Sequence, residues 1–215
     1  MKYIIDTANL NEIKEALSLG IYGVTANPSM YLKEQIKFYD FLREVNSLNP
    51  NFLSAEAMGS SLEEMLNNVD GILSINPNII IKINFSSLGL KLVNILSKKG
   101  IKTAVTLIFN ITQATLAINA GADYIFPFIG RNDAIGVSGL ETLNNICTII
   151  KENNYSTEVV AASIKNVYHL QEAALAGAHY SAVNHSTLKQ AIFHELTAQG
   201  EKKFIEDWQN LCNIK

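Results

Sequence analysis

Ile79-Ile80-Ile81-Lys82-Ile83 is a run of β-branched residues broken by a single amine. It is too short to span a membrane, and its composition reads as a buried strand. Lys82 is the exception within it. Taking an ammonium out of water costs several kcal/mol unless the charge is paired, and the usual escape is a lowered pKa. A lysine that sheds its proton becomes a nucleophile toward carbonyls, the requirement for Schiff-base chemistry. Alternatively, it is a strand-end lysine whose stem lies on apolar surface while its head reaches water.

Outward from this run, short β-rich segments alternate with longer helical patterns along the whole chain, which argues for a parallel sheet built of repeated strand-helix units. Strands are expected at Tyr3 to Ile5, Gly23 to Thr25, Phe52 to Glu56, Ile79 to Ile83, Lys102 to Leu107, Tyr124 to Phe128, Glu158 to Ala162 and Tyr180 to Val183. Helices are expected at Asn11 to Leu19, Leu62 to Ser74, Leu88 to Lys99, Ile111 to Ala120, Leu140 to Lys151, Val167 to Ala176 and Ser186 to Thr197. Gly20, Gly100, Gly121 and Gly177 fall where such helices should stop, as left-handed caps require. Eight strands point to a closed (β/α)8 TIM barrel, which needs about 250 residues and roughly 200 at the least. With 215 residues, the chain reads as a single compact barrel domain over residues 1–215. An additional C-terminal helix is expected at Glu201 to Leu211. A doubly wound open sheet is the alternative, weakened by the strand count and by the lack of a glycine-rich first turn.

Seventeen Lys plus Arg against twenty Asp plus Glu give a net charge of -3, with the basic residues scattered, so no nucleic-acid partner is expected. No apolar run approaches a membrane span, and the N-terminus reaches a strand and Asp6 without a basic leader. A cytoplasmic protein without membrane association is the expectation. Cys147 and Cys212 lie far apart in helical segments and read as reduced thiols. His169, His179, His185 and His194 show no paired ligand spacing, and neither a Gly-x-Gly-x-x-Gly turn nor a P-loop occurs. No metal, nucleotide or organic cofactor is expected.

Active sites of such barrels lie at the C-terminal ends of the strands. The polar residues there are Asp6, Thr25 with Asn27, Glu56, Lys82, Thr106, Arg131 just after strand six, and Ser163 with Lys165. Individually each has a structural reading. Asp6 and Ser163 could cap helices, Asn27 could brace the turn before Pro28, and Glu56 could simply pair with Lys82. Jointly, one amine, two carboxylates, hydroxyls, an amide and exit-loop cations at one mouth exceed what helix capping needs.

At these positions the chain resembles a known family, the short single-domain transaldolases and their relatives the fructose 6-phosphate aldolases. The resemblance runs almost end to end. It is carried by Ile5-Asp6-Thr7, Gly23-Val24-Thr25-Ala26-Asn27-Pro28-Ser29, Ile81-Lys82-Ile83, Thr106-Leu107-Ile108-Phe109, Pro127-Phe128-Ile129-Gly130-Arg131-Asn132-Asp133, Ala161-Ala162-Ser163-Ile164-Lys165 and Phe204-Ile205-Glu206-Asp207-Trp208. It implies that Lys82 forms the Schiff base, that Asp6 transfers protons, and that Glu56 with Thr106 holds a catalytic water. Thr25, Asn27, Phe128, Arg131, Ser163 and Lys165 would form the substrate-binding set, with Asn27 and Ser163 on sugar hydroxyls and Arg131 with Ser163 on phosphate. A planar guanidinium suits bidentate phosphate recognition, Lys165 would add a second positive charge, and the loop Gly136-Val137-Ser138-Gly139 could offer backbone N–H groups to an anion.

The implied reaction moves a dihydroxyacetone unit between fructose 6-phosphate or sedoheptulose 7-phosphate and erythrose 4-phosphate or glyceraldehyde 3-phosphate, in the nonoxidative pentose phosphate pathway. Sugar phosphates are thus the expected partners. The resemblance also implies a homo-oligomer, a decamer or pentamer whose C-terminal helix reaches a neighbouring subunit. Glu56 and Phe128 match the transferase branch, since the aldolase branch typically has Gln and Tyr there. Asn84, Ala26 and Asn184-His185 depart from the family pattern, in loops that should therefore be differently shaped. The competing readings are an aldolase releasing free dihydroxyacetone and a noncatalytic sugar-phosphate binding protein.

Overall fold

The computed structural model describes residues 1–214; Lys215, the last residue of the expected 1–215 unit, lies outside the described residues. Strands β1 (Lys2–Asp6), β2 (Gly23–Thr25), β3 (Phe52–Glu56), β4 (Ile80–Asn84), β5 (Thr103–Ile108), β6 (Tyr124–Pro127), β7 (Glu158–Ala161) and β8 (Tyr180–Val183) pair in parallel and in chain order. β8 returns to β1 and closes the barrel, with Lys2 opposite Tyr180 and Ile5 opposite Val183. The eight expected strands are all present, their ends shifted by at most a residue. The open sheet is excluded.

Around the barrel lie α1 (Leu10–Ser18), α2 (Pro28–Lys33), α3 (Phe38–Ser47), α4 (Leu62–Leu73), α5 (Ser87–Lys98), α6 (Ile111–Asn119), α7 (Ile129–Asp133), α8 (Gly139–Glu152), α9 (Val167–Leu175) and α10 (His185–Ile192). A last helix, α11 (Glu195–Cys212), follows. Gly20, Gly100, Gly121 and Gly177 all have positive φ, as their position after helix ends requires.

The strands are apolar on both faces because each face meets packed side chains. In β4, Ile81 and Ile83 belong to the large cluster between strands and helices, whereas Ile80 belongs to the smaller cluster inside the barrel. The interior is graded along its axis. At the end where the strands begin, Phe52, Tyr124 and Tyr180 stack with centroids 5.2–6.0 Å apart, and Lys2 Nζ sits 4.0 Å over the Tyr22 ring. This aromatic layer fills the bottom of the barrel. Ala104, Val160, Ala162 and Ala182 continue the interior with smaller side chains. The inward positions at the opposite end are polar, which leaves a pocket there.

Two helical expectations need correction. The segment Ser186 to Thr197 is not one helix: it breaks at Phe193, whose backbone is extended (φ -83, ψ 130), and His194 then caps α11 by accepting the Leu196 N–H at 3.2 Å on Nδ1. Accordingly, the C-terminal helix expected at Glu201 to Leu211 begins earlier, at Glu195. None of its described residues is buried, and Phe204 (75%) and Trp208 (66%) stand exposed. Helices α2, α3 and α7 were not anticipated.

Candidate active site

The pocket at the C-terminal end of the barrel has a volume of about 390 Å³. Asp6, Thr25, Asn27, Glu56, Lys82, Thr106, Phe128, Arg131, Ser163 and Lys165 all line it. Parallel register explains the convergence. Asp6 is opposite Thr25, Glu56 is opposite Lys82, and Asn84 is opposite Thr106. Opposed residues on adjacent strands share a face, so these inward positions converge on one pocket, Thr106 lying two residues beyond Ala104, the partner of Lys82.

Lys82 is 4% exposed, too little for its head to have reached bulk water. Its Nζ lies 3.3 Å from Glu56 Oε2 and donates to the Ala26 carbonyl. Here the departure from the family pattern at Ala26 leaves the contact intact, because the backbone and not the side chain makes it. Burial holds the Asp6 carboxyl above its ordinary value; the Lys82 charge opposes the shift, Glu56 reinforces it, and Lys165 opposes it weakly. Thr25 Oγ1 is tied to Ser54 Oγ at 2.7 Å, and both are buried. Thr106 is 4% exposed on the neighbouring wall.

Capping accounts for only one of the polar residues. Asn9 caps α1 and Asn166 caps α9, so Asp6 and Ser163 do neither job. Asn27 does cap α2, accepting the Met30 N–H at 3.3 Å, which commits its oxygen and leaves the Nδ2 donor for a ligand.

At the rim, the first turn of α7 rests on the segment after β7: Ile129 N–H donates to Ala162 O at 2.9 Å and Gly130 N–H to Ser163 O at 3.0 Å. Gly130 is required there, since a Cβ would lie 2.6 Å from Ser163 O and 2.5 Å from Lys165 Cγ. This packing brings Arg131 and Lys165 to the same side. Arg131 Cζ sits 5.1 Å over the Phe128 ring, which itself packs edge-on against Phe109 at 5.7 Å. Ser163 (φ 58) and Leu107 (φ 61) both line the pocket in left-handed backbone, a strained arrangement for Leu that the register shift between Val105 and Ile108 accompanies.

Three of the four N–H groups of the loop Gly136-Val137-Ser138-Gly139 are committed within the fold rather than offered to an anion, contrary to expectation. Gly136 N–H donates to Asp133 O at 3.1 Å, Val137 N–H to Asn132 O at 3.0 Å, and Gly139 N–H to Asp133 Oδ1 at 2.9 Å. Those donors complete the junction of α7 with α8, and none of the four residues lines the pocket.

Over residues 3–214 the chain matches the family model described as Transaldolase/Fructose-6-phosphate aldolase. The chain belongs to this family. A protein of Geobacillus sp. (strain WCH70) named "probable transaldolase" is 48% identical over 209 residues, covering 97% of this chain and 98% of the relative. Proteins of the same name from Alkaliphilus metalliredigens (strain QYMF) and Halalkalibacterium halodurans are 45% and 43% identical over 98% of this chain.

Family membership accounts for the order of the motifs, while the chain's own departures from the pattern are structurally absorbed. Asn84 lines the pocket at the end of β4. Asn184 caps α10 and donates to Ile164 O at 3.2 Å, and His185 lies between Glu12 (3.4 Å) and Glu15 (2.9 Å) of α1. Further wall residues not anticipated from sequence are Ser29, Met30, Met58, Leu107 and Phe126. Cys147 is buried and Cys212 exposed, both free. Among the described residues no cluster of His, Cys, Asp or Glu could hold a metal ion, and no helix is long and apolar enough to cross a membrane.

Proposed function

We propose that the chain is a transaldolase that carries a dihydroxyacetone unit on Lys82 from a ketose phosphate to an aldose phosphate. The observation that carries this reading is a buried amine in the middle of β4, among isoleucines, set between Glu56 and a backbone carbonyl on the floor of the only pocket that also holds Asp6 and Thr106 among those described. The neutral Nζ adds to the ketone carbon, and the resulting carbinolamine loses water to give an iminium. Asp6 takes the proton of the C4 hydroxyl, directly or through the water that Glu56 and Thr106 hold. The C3–C4 bond breaks, its electrons enter the iminium to form an enamine, and an aldose phosphate departs. The enamine then attacks the carbonyl carbon of the second aldose, and water hydrolyses the new iminium to free Lys82. A carboxyl held above its ordinary value, as Asp6 is, makes a stronger base once ionised, which suits proton removal from a hydroxyl.

Fructose 6-phosphate and sedoheptulose 7-phosphate are the donors we assign, with erythrose 4-phosphate and glyceraldehyde 3-phosphate as acceptors and the cytoplasm as the compartment. Phosphate is received by Arg131, Ser163 and Lys165, whose segments are packed together at the rim. Arg131→Ala should therefore raise KM for fructose 6-phosphate by about 10- to 100-fold, the scale of losing a charge-assisted bidentate contact, and leave dihydroxyacetone used as donor within about twofold. Equal losses for both donors would make Arg131 structural. We also propose that residues 1–215 work as one barrel unit in a homo-oligomer, a pentamer or decamer, in which the unburied apolar side chains of α11 meet a neighbouring copy.

The reading is tested by following one ketose phosphate with and without erythrose 4-phosphate. A transferase turns over only with the acceptor. An aldolase releases dihydroxyacetone without it, and a noncatalytic binding protein does neither and is not trapped on Lys82 by borohydride. Phe128 supports transfer because its ring offers no hydroxyl to organise water beside the enamine. Phe128→Tyr should raise acceptor-independent release of dihydroxyacetone by about tenfold, a modest share of what a positioned proton donor supplies. A stable variant with an unchanged ratio of transfer to release would return Phe128 to a packing role.

A further inference from the structure

Arg131 and Lys165 are both exposed, yet a phosphate site needs its two cations at a fixed separation. They stand on different segments, Arg131 on α7 and Lys165 between β7 and α9. The side chain that spans those segments is His169, on the first turn of α9 and itself buried at 8% exposure. His169 Nε2 lies 3.3 Å from Asp133 Oδ2, two residues along α7 from Arg131. On its other side, His169 Nδ1 accepts the backbone N–H of Lys165 at 3.4 Å. Asp133 is fixed in turn, since its second oxygen accepts the Gly139 N–H at 2.9 Å. An imidazole whose Nδ1 accepts carries its proton on Nε2 when neutral, so the ring accepts from Lys165 and turns its N–H edge toward the Asp133 carboxylate.

We infer that His169, held by Asp133, is a positioning residue that sets the separation of Arg131 and Lys165 and thereby the grip on the substrate's phosphate. This rests on the phosphate reading given above. His169 does not line the pocket, and its hydrogen bonds go to neither the guanidinium nor the ammonium. Its contacts are to the backbone of one cation's segment and to the helix of the other. Gly130 lets α7 sit against Ser163 and Lys165 on the pocket side, and the His169–Asp133 contact closes the same junction from behind. With the clasp broken, the two segments remain covalently sound and the chemistry at Lys82 is untouched, but the two cations no longer meet an anion at one distance.

The test uses the full chain. His169→Phe keeps a ring and removes both the hydrogen bond from Lys165 N–H and the polar contact with Asp133, whereas His169→Gln keeps one donor and one acceptor. Steady-state kinetics would be run with fructose 6-phosphate plus erythrose 4-phosphate, and with dihydroxyacetone plus glyceraldehyde, which lack phosphate. His169→Phe should raise KM for fructose 6-phosphate by about tenfold with kcat within about twofold, the effect of losing one hydrogen bond's worth of positioning. The unphosphorylated pair should be unaffected, and His169→Gln should recover most of the loss. In an Arg131→Ala background, His169→Phe should add nothing, because its effect passes through the cation already removed. An unchanged KM, equal losses with both substrate pairs, or effects that multiply in the double variant would overturn the inference while leaving the phosphate reading in place. If Arg131→Ala alone fails to distinguish the two pairs, the phosphate reading falls and the inference with it. Should His169→Phe not fold, Asp133→Asn, which keeps the acceptor for Gly139 and loses the charge facing Nε2, should raise the same KM.

Discussion

Lys82→Met should fold and lose essentially all turnover, a fall of at least ~10⁴-fold, the scale on which removal of a covalent nucleophile acts. The thioether chain is close in length to the lysine stem and suits the barrel interior beside position 82, where Ala104, paired opposite it, and Phe126 are buried apolar side chains. The substitution leaves Glu56 without its 3.3 Å partner and Ala26 O without its donor. Breaking a buried pair by removing one partner is destabilising, so stability should fall but the barrel should persist. Borohydride added with fructose 6-phosphate should leave a reduced three-carbon unit on the peptide containing Lys82 in the native chain and on no peptide of the variant. A label on another lysine, or residual turnover above the stated scale in a folded variant, would dismiss Lys82 as the covalent residue.

The features that made Lys82 stand out also explain what was legible in the sequence. Parallel strands are buried on both faces, so a charge inside one is conspicuous, and the eight runs could be counted because glycines in left-handed backbone close several of the helices between them. The place of the candidate site was legible for the same reason: in a closed barrel the inward residues toward the strands' C-terminal ends reach one mouth, so counting strands amounts to placing Asp6, Glu56, Lys82 and Thr106 together. What the sequence hid is non-local. Nothing local interrupts Ser186 to Thr197, where Ile192, Phe193 and Leu196 continue an apolar pattern. The extended backbone at Phe193 ends α10, and α11 begins as a separate helix with none of its described residues buried. Leu107 carries no signal for positive φ, because its backbone is set by the shifted pairing of β5 with β6. The clasp at His169 joins residues far apart in the chain, and isolated histidines offer no spacing to read. By contrast α2, which was not anticipated, did leave a local signal, since Asn27 followed by Pro28 is a cap followed by the proline that favours a first helical position.

Asp6→Asn should abolish transfer and yet make the protein more stable at neutral pH. Activity should fall about 10²- to 10⁴-fold, the contribution of a positioned general base, with kcat affected more than KM because the amide keeps the carboxyl's shape. The stability gain follows from the direction of the Asp6 shift. Burial raises the folded-state value above the ordinary 3.8, and the Lys82 charge only partly offsets it. Below 3.8 the carboxyl is protonated in both folded and unfolded chains and contributes nothing. As pH rises from there through the raised folded value, the unfolded chain ionises first, the folded state lags, and stability is lost; above that value the folded protein carries the cost in full. A neutral amide does not incur it. Thermal unfolding at pH 7 should therefore show Asp6→Asn above the native chain, by roughly 2–4 °C for each kcal/mol relieved in a chain of this size. The difference should close as pH falls toward 4. A variant less stable at pH 7, or a gain that persists undiminished in acid, would mean that the Asp6 carboxylate is held favourably by Lys82 in the resting enzyme. The fold would then lose nothing by keeping it ionised, and the strained base assigned to C4 deprotonation would have to be found elsewhere on the pocket wall.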